Sequence, residues 1–185
     1  MIKVERRETE KTKKAVIALE KAKSNDTTYN IPEVNDALYE IFYNKCYICE
    51  NKHGSSYQIE HLIPHKKNKE IKYDWNNLFL ACAHCNNTKL GKYDNILDCT
   101  KEAVDELITF RKIGYFGKEE RLEFVALDNR EETKNTVALL ETVYYGETSQ
   151  KKFEAKILRK RLREELSKFK GNAGVGVISD TDPQP

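Results

Sequence analysis

Apolar residues recur at helical spacing towards both ends of this chain and contract into short, strand-like runs at its centre. Over residues 9–24, Ala15, Val16, Leu19 and Ala22 fall on one side of a helix, with Lys and Glu elsewhere. A polar break, Ser24-Asn-Asp-Thr-Thr-Tyr-Asn30, precedes Pro32, which suits the first turn of a second helix reaching about Asn44. Val34, Leu38, Ile41 and Phe42 keep helical spacing along it. From Cys46 to Tyr93 the pattern breaks into strands, knuckles and one helix. Leu107 to Ile113 and Leu122 to Leu127 flank a turn from Gly114 to Gly117 and predict a hairpin. Two further helices fit 130–145 and 148–169. The last presents Phe153, Ile157, Leu158, Leu162, Leu166 and Phe169 as an apolar stripe beside Lys156, Arg159, Lys160, Arg161 and Arg163. The expected class is α+β, with a small β-containing centre between helices. Four segments follow: a helical arm (1–44), the centre (45–93), a hairpin and helical region (94–170), and a flexible tail (171–185) without periodicity.

Length and composition narrow this picture without deciding it. The 185 residues, 39% hydrophobic and 34% charged, fit one domain with extensions or two small ones. The longest wholly apolar run, Leu78 to Ala83, is far short of the roughly 20 residues that span a bilayer. Met1-Ile-Lys-Val-Glu-Arg-Arg-Glu has mixed charge and no apolar stretch after it, unlike a secretory signal. A cytoplasmic protein with no membrane partner is expected. The net charge of +2 is an average over unlike parts. Residues 1–24 and 44–93 each carry eight basic and four acidic groups, 151–185 carry nine and five, and 94–150 carry seven and thirteen. Such runs are ordinarily solvated faces, so what matters is what the basic segments surround.

They surround cysteines. Four of the five form two Cys-x-x-Cys pairs, Cys46/Cys49 and Cys82/Cys85. Without a leader, disulfides are the weaker reading. Two such knuckles supply four thiolates to one tetrahedral structural Zn²⁺, at about 2.3 Å per sulfur. The 32 residues between the knuckles exceed the roughly 15–20 of a zinc ribbon, so something is inserted. Cys99 is left over and reads as a partly buried thiol. His53 could replace a thiolate, while His84, inside the second knuckle, is expected to face solvent.

The insert contains Tyr57-Gln-Ile-Glu60-His61-Leu-Ile-Pro64, a Lys-rich stretch with Lys66 and Lys67, and Tyr73-Asp-Trp75-Asn76-Asn77-Leu78. Asn86-Asn-Thr-Lys89 follows the second knuckle. A His beside a carboxylate is normally a structural pair or an exposed accident. Here a His, a carboxylate, amides and a Lys share one metal scaffold, and together they match the needs of phosphodiester hydrolysis. A neutral imidazole is a good base for water. A carboxylate and an amide carbonyl are hard ligands suited to Mg²⁺ or Mn²⁺, which can stabilise charge at phosphorus and on the leaving oxygen. Lys89, three residues after Asn86 and on the same helix face, could reach a phosphate or be a plain surface lysine. His65 could be a loop residue or a phosphate contact, with Lys66 and Lys67 beside it. Trp75 and Tyr73 read as core.

These residues resemble the HNH, or ββα-metal, endonucleases: Cys46-x-x-Cys49, Ile59-Glu60-His61-Leu-Ile-Pro64, Asn77-Leu78 and Cys82-x-x-Cys85-Asn86-x-x-Lys89. The resemblance implies a β-hairpin followed by a helix around one catalytic metal, with a separate structural zinc. It implies His61 as general base, Glu60 as the metal-binding acid, Asn86 as the second metal ligand, and Asn77 as support for the loop that orients His61. Asn76 is the alternative one residue away. Glu60 stands where the wider family more often has Asp, and Asn86 where it has His or Asn. The lead from Met1 to Cys46, Tyr73-Asp-Trp-Asn-Asn-Leu and Asn95-Ile-Leu-Asp98 are similar in order and texture to the PtuB-type HNH nucleases of Septu anti-phage systems and certain retrons. That resemblance implies DNA as substrate and an ABC-type ATPase, PtuA, as partner. The competing expectation is a zinc-ribbon nucleic-acid-binding module, or a structural subunit, without cleavage.

Overall fold

The computed structural model describes residues 1–52, 54, 56–114 and 121–172. Thr9 caps the first helix, α1 (Glu10–Ser24), in a reciprocal capping box with Thr12. Thr12, Ala15, Leu19 and Ala22 are its buried residues. Val16, expected on the same side, is 40% exposed, because Thr12 completes the inward stripe in its place. Pro32 opens α2 (Pro32–Ile41), which buries Val34, Ala37, Leu38 and Ile41 against α1. Left-handed backbone at Tyr43 and Asn44 then ends the helix and turns the chain into the first knuckle.

The centre is a hairpin and a helix. Strands β1 (Tyr57–His61) and β2 (Leu78–Cys82) pair antiparallel, with Tyr57 opposite Cys82 and His61 opposite Leu78. A short helix, α3 (Lys69–Lys72), and a 3₁₀ turn at Trp75–Asn77 lie in the connection. Every residue of β2 is buried, and it passes at Cys82 into α4 (Ala83–Lys89). The buried run Leu78-Phe-Leu-Ala, the most apolar in the chain, is thus a strand covered on both faces. The ends of the centre are tied by main chain: Tyr47 N–H donates to the Leu80 carbonyl at 2.9 Å and Ala83 N–H to Ser56 at 3.0 Å.

A one-turn helix, α5 (Val104–Leu107), leads into the second hairpin, β3 (Ile108–Ile113) and β4 (Arg121–Ala126), paired from Ile108/Ala126 to Ile113/Arg121. The expected hairpin is present, and its turn near Gly117 lies outside the described residues. Helices α6 (Glu131–Tyr145) and α7 (Ser149–Asn172) complete the fold. Most of the expected tail also falls outside the described residues. Buried side chains from Val4 to Leu158 form one hydrophobic cluster drawn from the helical arm, the centre and the C-terminal region. Cys99 is fully buried in it, and burial pushes its thiol up to about 12.

The apolar stripe expected on α7 holds at Leu158 and Leu162, which pack on the core, and is corrected elsewhere. Ala155 and Leu158 face inward, while Phe153 (65% exposed), Ile157 and Phe169 (72%) face outward. Polar ties set this rotation. Glu154 pairs with His84, and the Arg159 guanidinium donates to the Tyr144 carbonyl and lies over the Tyr145 ring.

Gly146 joins α6 to α7 at φ 72°, ψ 148°, a conformation that side chains disfavour. A Cβ there would meet the Lys151 backbone at 2.4 Å, whereas at Gly91 the nearest atom is 3.9 Å away. Gly146→Ala is therefore expected to cost about 2–3 kcal/mol in thermal unfolding followed by circular dichroism. Gly91→Ala should leave the midpoint unchanged or slightly raised.

Candidate active site and metal centre

The two knuckles bring Cys46, Cys49, Cys82 and Cys85 together, all buried, with their sulfurs within 4.8 Å of one another. None is in a disulfide. The Cys49 and Cys82 sulfurs are 3.9 Å apart, against about 3.8 Å for the edge of a tetrahedron with zinc–sulfur bonds near 2.3 Å. Hydrogen bonds from Cys46, Cys49 and Cys85 hold the Cys82 thiol far below its ordinary value. The Cys49 thiol is pushed well up by its sulfur neighbours, and Cys85 by burial. Four crowded sulfurs do not share negative charge without a cation, so the donor set fits a zinc ion in number, softness and spacing.

His84 does not face solvent as expected. Its Nε2–H donates to the Val143 carbonyl at 2.8 Å, and Nδ1 sits 2.6 Å from the Glu154 carboxylate. Both nitrogens point away from the sulfurs, so the second knuckle is fastened through His84 to α6 and α7. His53 lies outside the described residues.

On β1, alternation places Gln58 and Glu60 on one face and Ile59 and His61 on the other. Helix α4 covers the first face with residues three apart. Asn86 Nδ2 donates to Gln58 Oε1 at 2.6 Å, which leaves the amide oxygen of Asn86 as a free donor atom. Lys89 Nζ lies 2.7 Å from Glu60 Oε1 and donates to the His61 carbonyl at 3.1 Å. Both expectations for Lys89, a phosphate contact and a plain surface lysine, are corrected here. Lys89 is fully buried and its ammonium is committed to the site, so it does not reach outward to phosphate. Burial pushes the Glu60 carboxyl above its ordinary value, and Lys89 pulls it back. Glu60 and Asn86 thus offer a carboxylate and an amide oxygen on one face, and Oε2 of Glu60 is not the atom paired with Lys89. The set fits a hard divalent cation in ligand type.

His61, on the opposite face, has one ring nitrogen fixed. Nε2 is 2.9 Å from the Lys72 carbonyl, which can only accept, so Nε2 carries the proton and the lone pair is on Nδ1. The ring packs edge-on against Tyr29, centroids 4.7 Å apart, and against His65 at 4.8 Å. Burial depresses its pKa, so the neutral form is favoured. Asn77 staples the loop after His61. It exchanges hydrogen bonds with Ile63, N–H to Oδ1 and Nδ2 to carbonyl, both at 2.8 Å, and donates to the Ile71 carbonyl at 3.2 Å. Asn76 is exposed and bonds only through its backbone to Asp74. Lys66 and Lys67, both exposed, follow His65 with φ of 44° and 69°. Lys67 N–H donates to His65 Nδ1 at 3.2 Å, and Lys66 lies 3.6 Å from Asp94.

Sequence reasoning passed over Gln58 and Tyr29. The period of two along β1 places Gln58 beside Glu60 and could have found it. Tyr29 sits in a loop between helices and has no local signal.

Metal analysis of the purified chain should give about one zinc, and Cys82→Ser should lose both the zinc and several kcal/mol of stability. His84→Ala should keep the zinc, because neither ring nitrogen faces it. That variant should melt lower by about 1–3 kcal/mol, through the loss of its ties to Glu154 and Val143.

Residues 46–91 match the family model described as HNH endonuclease. The chain is also 27% identical over 84 residues to the Septu protein PtuB of Bacillus thuringiensis, across 44% of this chain. The alignment spans 32% of that relative's length. No solved structure matches the chain. Among the described residues, no helix is long and apolar enough to cross a membrane. Its hairpin and helix, its four-cysteine centre and its Glu60-His61 strand end agree with the HNH endonuclease model that residues 46–91 match, and over part of its length the chain resembles PtuB.

Proposed function

We propose that this protein hydrolyses DNA phosphodiester bonds at the β1–α4 site, with His61 Nδ1 as general base. The observation that carries the reading is the bond from His61 Nε2 to the Lys72 carbonyl, which leaves Nδ1 unprotonated and held in one orientation. Nδ1 takes a proton from water, and the resulting hydroxide attacks phosphorus in line with the 3′ oxygen, whose bond to phosphorus breaks. The products carry 5′-phosphate and 3′-hydroxyl ends. Glu60 and Asn86 would hold Mg²⁺ or Mn²⁺, which when bound supplies positive charge for the phosphate and the departing oxygen. Asn77 keeps the 62–71 loop, and with it the Lys72 carbonyl, in register with His61. Lys66 and Lys67, exposed beside His65, are placed to meet the DNA backbone.

The likeness to a Septu protein supports a wider reading. The chain acts as the nuclease of a cytoplasmic anti-phage complex, directed by an ABC-type ATPase of the PtuA kind. This is the partner implied by the resemblance along the arm and by Tyr73 to Leu78.

Plasmid nicking with Mg²⁺ or Mn²⁺, supplemented with the ATPase, tests the catalytic assignment. His61→Ala should lower the rate by about a hundredfold or more; unchanged nicking would remove His61 from the role of base. The pH profile has a definite sign. A depressed pKa keeps the imidazole neutral to lower pH, so the acidic limb should fall below the ordinary histidine value of 6.5. A limb centred above 6.5 would contradict the buried-base geometry.

A further inference from the structure

We infer that Lys89 is a resident counter-cation and positioning residue of the nuclease site: held between Glu60 and the His61 carbonyl, it cancels the Glu60 carboxylate, so a divalent ion binds strongly only together with the DNA phosphate. The inference rests on the nuclease reading given above.

The geometry leaves Lys89 little freedom. Its ammonium is fully buried, 2.7 Å from Glu60 Oε1 and 3.1 Å from the His61 carbonyl oxygen. A buried ammonium requires a paired anion and hydrogen-bond acceptors, and these are the two it has. One cation therefore fastens consecutive residues of β1, the acid through its side chain and the base through its main chain. It also occupies one of the two Glu60 oxygens, so the orientation of the other is set by a contact DNA cannot displace.

The charge count follows directly. Glu60 contributes one negative charge and Lys89 one positive, Asn86 and Gln58 are neutral, and Asp94, whose charge also reaches Glu60, is itself paired with Lys66 at 3.6 Å. Among the described residues, only the four cysteines gather three or more His, Cys, Asp or Glu donors that could hold one ion. The β1–α4 face thus offers a divalent ion hard oxygens but no net negative charge, and it sets a fixed positive charge beside them. A phosphodiester supplies the missing anion. Metal and DNA then strengthen each other's binding by the same factor.

A lysine that simply contacted phosphate would leave DNA-free metal affinity untouched. A lysine that merely supported the fold would, once removed, weaken metal binding with and without DNA. Removing a counter-cation should tighten metal binding without DNA. Zinc-loaded full-length protein carrying His61→Ala, which cannot cut but keeps the main-chain carbonyl at 61, can be titrated with Mn²⁺ by electron paramagnetic resonance. Affinity at the nuclease site should rise at least tenfold when a short DNA duplex is added, and Glu60→Gln in this background should abolish that rise. Adding Lys89→Met should tighten DNA-free Mn²⁺ binding tenfold or more and shrink the effect of DNA, while Lys89→Arg should keep DNA-free binding weak. The inference is overturned if a folded, zinc-replete Lys89→Met protein binds Mn²⁺ without DNA no more tightly than its parent. Should Lys89→Met not fold, the parent decides alone, and equal affinities with and without DNA overturn it. Nicking by the otherwise native protein reports separately. If His61→Ala leaves nicking unchanged while the Mn²⁺ results hold, the base assignment fails and the counter-cation stands.

Discussion

The four-cysteine cluster is the constraint on which the remainder of this structure hangs. The elements it joins are too short to persist alone: β1 and β2 have five residues each and α4 has seven. Cys82 is both the last residue of β2 and the residue before α4, so one member of the cluster sits at the junction of strand and helix. Cys46 and Cys49 fix the other end, where Tyr47 N–H meets the Leu80 carbonyl. With both ends closed, the 32 residues between Cys49 and Cys82 can carry an irregular loop without unravelling the hairpin. Glu60 and His61 end β1 at that loop, and Asn86 and Lys89 stand on the helix that the second knuckle launches.

Two extensions keep the centre dry and oriented. On one side His84 ties the second knuckle to α6 through Val143 and to α7 through Glu154. On the other, the N-terminal arm runs along the core, with Val4 N–H bonded to the Cys99 carbonyl at 2.8 Å. Arg6 enters among Phe42, Trp75 and Phe79, 4.8 Å from the centroid of Phe79, and donates to the Leu78 carbonyl. Burial lowers its pKa to about 10, so it stays charged at neutral pH. Three aromatic faces and the carbonyl offset only part of its desolvation, since Nε and Nη1 are buried without a hydrogen-bond partner among the described residues. The same carbonyl group lies at the start of β2, opposite His61 in the ladder. The arm therefore braces the strand that pairs with His61.

What could be read from the sequence was whatever has a short period or a fixed spacing. Two Cys-x-x-Cys pairs predicted the cluster, strand-like runs about a turn predicted the second hairpin, resemblance to a known motif implied the central one, and helical spacing placed α1, α2, α6 and α7 to within a few residues. The neighbourhood of Glu60, His61 and Asn77 followed from resemblance to a known motif. Rotations and partners set by distant residues escaped. The inward face of α7 depends on His84, some seventy positions earlier, so its hydrophobic pattern found Leu158 and Leu162 but also counted Phe153, Ile157 and Phe169, which face outward. Lys89 has the sequence context of an exposed lysine, and only the packing of α4 on β1 turns it into a buried cation. His84 escaped for the same reason, since neither Val143 nor Glu154 is near it in the chain.

These observations divide the basic surplus of the centre into two unlike kinds of charge. Lys66, Lys69 and Lys72 pair with Asp94 or Asp26, and Lys92 with Glu147, all with at least one exposed partner. Exposed pairs of this kind are worth about 0–1 kcal/mol, so an arriving phosphate can replace the carboxylate at little cost. They lend the surface a field that salt screens and DNA can use. The Lys89–Glu60 pair is the opposite case. It is buried, so breaking it would strand a charge, and no phosphate from outside can exchange into it. The net +4 of residues 44–93 therefore sits mostly at the rim, around a site that is itself neutral. On the proposed reading, long-range attraction brings the backbone in, and local neutrality leaves the anionic place in the site for the phosphate to fill.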